Sequence, residues 1–99
     1  MDKKVLADVY SKLKSAREMV AGGNYQEFPI VIDKVKEALG FMSEEFAKCE
    51  FSECCTVLDW TNRILYAKIL LEEAKEYGDR LEPDRILCDV LNEMLKVLD

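Results

Sequence analysis

The sequence predicts an all-α protein, an up-down-up-down four-helix bundle, and three observations carry that expectation. The 99-residue chain holds only four Gly and two Pro, so helix breakers are scarce. Leu, Glu, Lys and Ala, all good helix formers, are abundant. Apolar residues make up 49% of the chain, and they recur at steps of three and four, the spacing of one face of an α-helix. A chain of this size folds as one domain, here residues 1–99, with enough apolar surface for its own core. Short connections between the helical stretches make sequence neighbours antiparallel.

The first helix is expected over Lys3 to Ala21, with Leu6, Val9, Leu13, Ala16 and Val20 on its buried face and Tyr10 beside them. Gly22-Gly23 stops it, because glycine accepts the left-handed backbone common just past a helix end. The second helix runs to Lys48 and shows the stripe Phe28, Ile32, Val35, Leu39, Met42 and Phe46. Asn24 and Glu27 spell a capping box that would start it at Tyr25. Pro29 argues instead for a start at Phe28, since proline is tolerated only in a first turn. Gly40 inside this helix costs roughly 1 kcal/mol against Ala, and close approach by a neighbouring helix is the simplest reason for it.

After a break at Cys49-Glu50 the third helix runs from Phe51 to Tyr77, and its stripe is unbroken: Val57, Trp60, Ile64, Ala67, Leu71 and Ala74. Leu58 and Leu65 widen that stripe, and Ile69 and Leu70 add apolar surface beyond it. A helix so apolar around its girth calls for neighbours on more than one side, so it reads as the central column. Gly78 ends it, and Asp79 to Glu82 form a polar turn. The fourth helix then starts at Pro83 and runs to Leu98, with Leu87, Leu91, Met94 and Leu98 on its stripe and Ile86, Val90 and Val97 alongside.

Charge and composition exclude several classes. The formal net charge is −6, and the densest basic group, Lys12, Lys14 and Arg17, is interleaved with helix surface. Phosphate backbones and anionic membrane surfaces need clustered Lys and Arg, so neither nucleic acid nor membrane is an expected partner. No window approaches the ~20 apolar residues of a membrane span. The start, Met1-Asp2-Lys3-Lys4, leads into an amphipathic pattern rather than an apolar leader core. A cytoplasmic location follows as the expectation, and with it Cys49, Cys54, Cys55 and Cys88 as thiols.

A shift of 26 residues lays Asn24-Tyr25-Gln26-Glu27 over Glu50-Phe51-Ser52-Glu53 and Val31-Ile32-Asp33 over Val57-Leu58-Asp59. Two repeats are short for an open solenoid, so the pattern fits a closed bundle of two similar helical hairpins. The first unit, Ala16-Arg17-Glu18-Met19-Val20-Ala21-Gly22-Gly23-Asn24-Tyr25 followed by Ala38-Leu39, resembles the hairpin of HEPN and related small archaeal helical proteins. That resemblance implies a helical fold. HEPN ribonucleases use Arg, four residues, then His, and here Arg63 is followed by Lys68 instead. A Lys of ordinary pKa is no base at neutral pH, so the resemblance implies a relative without that activity. The plain reading of Arg63 and Lys68 is solvated helix surface.

The chain has no His at all. That removes the usual Ser-His-Asp and Cys-His catalysis and the Glu-x-x-His ligands of di-iron bundles. The cysteines lack the paired Cys-x₂-Cys spacing of thiolate zinc sites, and no Gly-rich phosphate loop is present. One acidic pattern resembles MazG-type nucleotide pyrophosphohydrolases, which hold Mg²⁺ on Glu-x-x-Glu and Glu-x-x-Asp. Glu50 with Glu53 and Glu76 with Asp79 fit those letters, and carboxylates suit Mg²⁺. Both motifs fall on opposite ends of one expected helix, roughly 39 Å apart at 1.5 Å per residue. That alternative therefore requires the third helix to break in its middle. Glu72, Glu73 and Glu76 otherwise read as a solvated face pairing with Lys68 and Lys75 at helical spacing.

Trp60, Phe28, Phe41, Phe46 and Phe51 read most simply as core. The alternative is an exposed aromatic contact with a protein partner, for which Phe41 and Tyr66, off the main stripes, are the candidates. The expected function is thus a non-enzymatic interaction or structural module, without cofactor or metal. Its partner is another protein or itself, because broad apolar stripes on the third and fourth helices make a homodimer plausible.

Overall fold

The computed structural model describes residues 2–22, 25–77 and 81–99. It is an all-α four-helix bundle: α1 (Lys3–Gly22), α2 (Phe28–Lys48), α3 (Phe51–Tyr77) and α4 (Leu81–Leu98), with a 3₁₀ turn (Tyr25–Glu27) leading into α2. Each helix packs on its sequence neighbour, and α1 also packs on α4, which closes the ring. The bundle measures 40 × 22 × 18 Å, so its length is that of α3 alone, ~40 Å for its helical rise.

The core is the set of stripes that periodicity picks out, with one rotation. On α1, Leu6, Val9, Leu13, Ala16 and Val20 are all buried. On α3 the whole stripe from Val57 to Ala74 is buried, Trp60 included. On α4, Ile86, Leu87, Val90, Leu91 and Met94 face inward. The stripe of α2 is turned from expectation: Val31, Ala38 and Glu45 join Phe28, Ile32, Val35 and Met42, while Leu39 is half-buried and Phe46 is exposed. α2 must serve α1 on one flank and α3 on the other, so its buried arc is wider than a single row of large apolar residues.

Several expectations need correcting. α3 is no central column but one of four equivalent corners, flanked by α2 and α4. Its further apolar residues Leu58, Leu65 and Ile69 therefore face solvent. The close approach expected at Gly40 does not occur: a Cβ there would meet nothing within 4 Å. α4 begins at Leu81, not at Pro83, so Leu81 and Glu82 are helical rather than part of a turn. Pro83 still lies in the first turn, where its missing N–H would have had no intrahelical partner. Glu82 and Asp84 in the same turn suit the positive end of the helix dipole. The start of α2 falls at Phe28, with Pro29 in its first turn and no cap hydrogen bond from the Glu27 side chain; Asn24 lies outside the described residues.

The cysteines also depart from the thiol expectation. Cys49 and Cys54 form a disulfide, with their Cα atoms 5.5 Å apart. Cys49 closes α2 in an extended conformation (φ −69°, ψ 149°), and α3 starts two residues later. The first turn of α3 therefore brings Cys54 back over the chain break, within the Cα range a disulfide spans. Cys55 and Cys88 remain thiols, Cys55 exposed.

Candidate functional site

α3 carries a second apolar stripe besides the one it contributes to the core. The buried stripe, Val57 to Ala74, is set by packing. On the opposite side of the same helix stand Cys55, Leu58, Asn62, Leu65 and Ile69, again at alternating steps of three and four. Leu58, Leu65 and Ile69 are 44%, 42% and 43% exposed, and the adjoining Tyr66 is 53% exposed. No residue of this outward stripe is charged, in a chain where 34% of residues are. Four large apolar side chains contiguous on one helix make a patch, which scattered surface apolars do not.

The charges beside the stripe are drawn into pairs. On the α4 flank, the Arg63 guanidinium lies 2.7 Å from Asp59 on its own helix and 2.6 Å from Glu93 on α4. Partial burial opposes the charge on Arg63, but its hydrogen bonds to Glu93 and Asp59 outweigh that and raise its pKa above the ordinary value. On the α2 flank, Lys68 pairs with Glu72 at 2.9 Å. All three ion pairs are part-exposed, so each contributes little to stability. The strip between them holds no charged side chain.

Phe41 and Tyr66 are both exposed but are not brought together. Phe41 sits in the α1/α2 groove under Lys12, whose Nζ is 5.7 Å from the ring centroid and 3.3 Å from the Glu37 carboxylate. Lys12, Glu37, Gly40, Phe41 and Glu44 line an open depression there of about 280 Å³. Tyr66 is one turn beyond Arg63, which reaches toward α4. In a ring of order α1, α2, α3, α4, the α1/α2 groove and the α3/α4 flank are opposite sides. Tyr66 thus joins Leu58, Leu65 and Ile69, whereas Phe41 stands alone.

α3 is continuous from Phe51 to Tyr77, so the break that the paired-carboxylate alternative requires is not there. Glu50 precedes the helix and Glu76 is in its last turn, at the two ends of the bundle; Asp79 lies outside the described residues. Among the described residues, no three carboxylate or thiol groups are grouped so that they could hold a metal ion. Nor is any described helix long and apolar enough to cross a membrane.

Leu58, Leu65 and Ile69, expected to pack against further neighbours, are surface residues. The signal was present: Cys55, Leu58, Asn62, Leu65 and Ile69 keep heptad spacing in a register of their own, half a turn from the buried one.

Fold and surface together define a four-helix bundle with one two-faced helix. No protein-family model matches the chain, and no curated protein or solved structure is significantly similar to it.

Proposed function

We propose that the chain is a helical interaction module that acts without chemistry of its own, through the outward face of α3. The observation that carries this reading is the uncharged stripe of Leu58, Leu65, Tyr66 and Ile69, which the bundle does not cover. An a/d-spaced apolar row on a preformed helix presents knobs at the spacing that the holes of a facing helix accept. Because α3 is already folded, docking costs little backbone ordering.

Site-specific photo-crosslinking in the native cell tests the reading. A benzophenone side chain replacing Tyr66 is expected to give discrete polypeptide adducts. The same group at Lys96, on the outer side of α4, is expected to give none. No adduct at Tyr66 above the Lys96 control would overturn the proposal.

A further inference from the structure

We infer that the partner of the α3 face is a second copy of this chain, docked with the two α3 helices parallel and in register. This inference rests on the interaction reading above and adds the occupant and its orientation.

The outward stripe is self-complementary. Written as heptads, Cys55, Asn62 and Ile69 occupy the a positions, and Leu58 and Leu65 the d positions. Leu at both d positions and the β-branched Ile69 at one of the three a positions favour a two-stranded pair, and the single Asn at a fixes its register; the next d position is Glu72, which ends the apolar seam. Aligned in parallel, Asn62 meets Asn62 of the second copy, and each amide has both a donor and an acceptor for the other. An antiparallel pair stacks a against d instead. Asn62 would then face Leu65, leaving an amide in an apolar seam at a cost of ~1–3 kcal/mol.

Charge makes the same choice. In parallel pairs a g residue lies beside the e residue of the partner's next heptad. Here that sets Lys68 beside Glu73 of the second copy, twice by symmetry. Antiparallel pairs bring like flanks together, Asp59 toward Tyr66 and Thr61 toward Lys68, with no opposite charges. The chain's net charge of −6 opposes contact through most of its surface. The seam from Cys55 to Ile69 is uncharged, and at its end the Glu72 carboxylate is held by Lys68 at 2.9 Å. A basic protein partner would find no complementary charge on this stripe, whereas an identical uncharged stripe matches it.

The seam is about 21 Å long. One helix of two heptads buries roughly half of the ~800 Å² per partner of a standard interface. The dimer is therefore weak and concentration-dependent.

Sedimentation equilibrium from about 10 μM to about 1 mM, on the full chain carrying Cys88→Ser, reads this directly. A monomer–dimer equilibrium is expected. Leu65→Glu should weaken it at least tenfold with helical circular dichroism unchanged. Lys68→Glu should weaken it several-fold, and adding Glu73→Lys should restore it. A short bis-maleimide should join Cys55 to Cys55 of the second copy, since both thiols add across the seam at one level. Such a link, together with charge-swap rescue, supports the inference. A dimer that shows neither overturns the parallel register. A monomer at every concentration overturns the second copy. In that case, photo-adducts at Tyr66 to a different polypeptide would leave the interaction module standing, and their absence would remove both.

Discussion

α3 and α4 are corners of the same ring, each packed between two neighbours, and yet their outer faces differ in charge. α4 presents the charged Arg85, Asp89 and Lys96, with Asn92, among the exposed Leu81, Leu95 and Val97. Arg85 is hydrogen-bonded to Glu82 and lies 3.4 Å from Asp89. α3 presents Cys55, Leu58, Asn62, Leu65 and Ile69 in the equivalent place. The outward row of α4 is interrupted by charge, whereas that of α3 from Cys55 to Ile69 carries none. The core of the bundle does not use this row of α3, and in the reading proposed above it is the contact surface. Among the described residues, no group of three acidic or thiol side chains offers a metal site in its place.

The sharpest way to break the contrast is to truncate both faces of α3. Leu71→Ala, in the fully buried stripe, should lower unfolding free energy by about 2–5 kcal/mol, the transfer and cavity terms together. Leu87→Ala on α4 should cost a similar amount. Leu65→Ala on the outward stripe should cost at most about 0.5 kcal/mol. Urea denaturation at a few micromolar of chain would compare them in the monomer. A Leu65→Ala loss equal to that of Leu71→Ala would mean that the outward stripe belongs to the core, and the contrast would fall.

How much of this was legible in the sequence follows from what periodicity measures. The five buried residues of α1 and the six of α3 were readable because each forms a single row facing one direction. The outward stripe of α3 was equally visible as apolar, but sequence cannot say whether a neighbour covers it. From the sequence alone it fits a central column, which the ring does not have. On α2 the aromatic size of Phe46 outvoted its place at the end of the helix, and the small Ala38 and the polar Glu45 were passed over although both are buried. The Cys49–Cys54 disulfide is not legible from composition, because it depends on local geometry, in which a helix break and one turn bring the two residues together. Of the site, Tyr66 was named from the sequence while its neighbours Leu58, Leu65 and Ile69 were given to the core.

A smaller effect sharpens the comparison from α2. Gly40 is helical and exposed, and a methyl group there would touch nothing within 4 Å. Gly40→Ala should therefore raise unfolding free energy by up to ~1 kcal/mol, through helix propensity and a less flexible unfolded chain. Thermal unfolding should show a midpoint higher by several degrees, with the self-association of α3 unchanged. Loss of dimer in Gly40→Ala would extend the contact surface beyond α3 and blur the distinction between its outer face and those of the other helices.

The smallest effect concerns the polar face that serves as the reference. The hydrogen bond from Arg85 holds the Glu82 carboxyl below the usual carboxylate range, against a small desolvation that works the other way; the Arg85 charge adds to the lowering. A carboxyl depressed in the folded state contributes stability that is full above its unfolded pKa and is lost as pH falls through the lower folded value. The window is thus acidic, at and below the ordinary carboxylate range. Arg85→Gln should return Glu82 toward its ordinary pKa, visible as an upward shift in its carboxyl ¹³C titration, with unfolding at neutral pH little changed because both groups are exposed. The contrast with α3 is then quantitative. Removing a charge from the outer face of α4 should alter one titration curve, whereas adding one to the outer face of α3 at Leu65 should weaken the proposed self-association at least tenfold. If Arg85→Gln also weakened self-association, the outer face of α4 would belong to the interface, and the uncharged row of α3 would no longer suffice to define it.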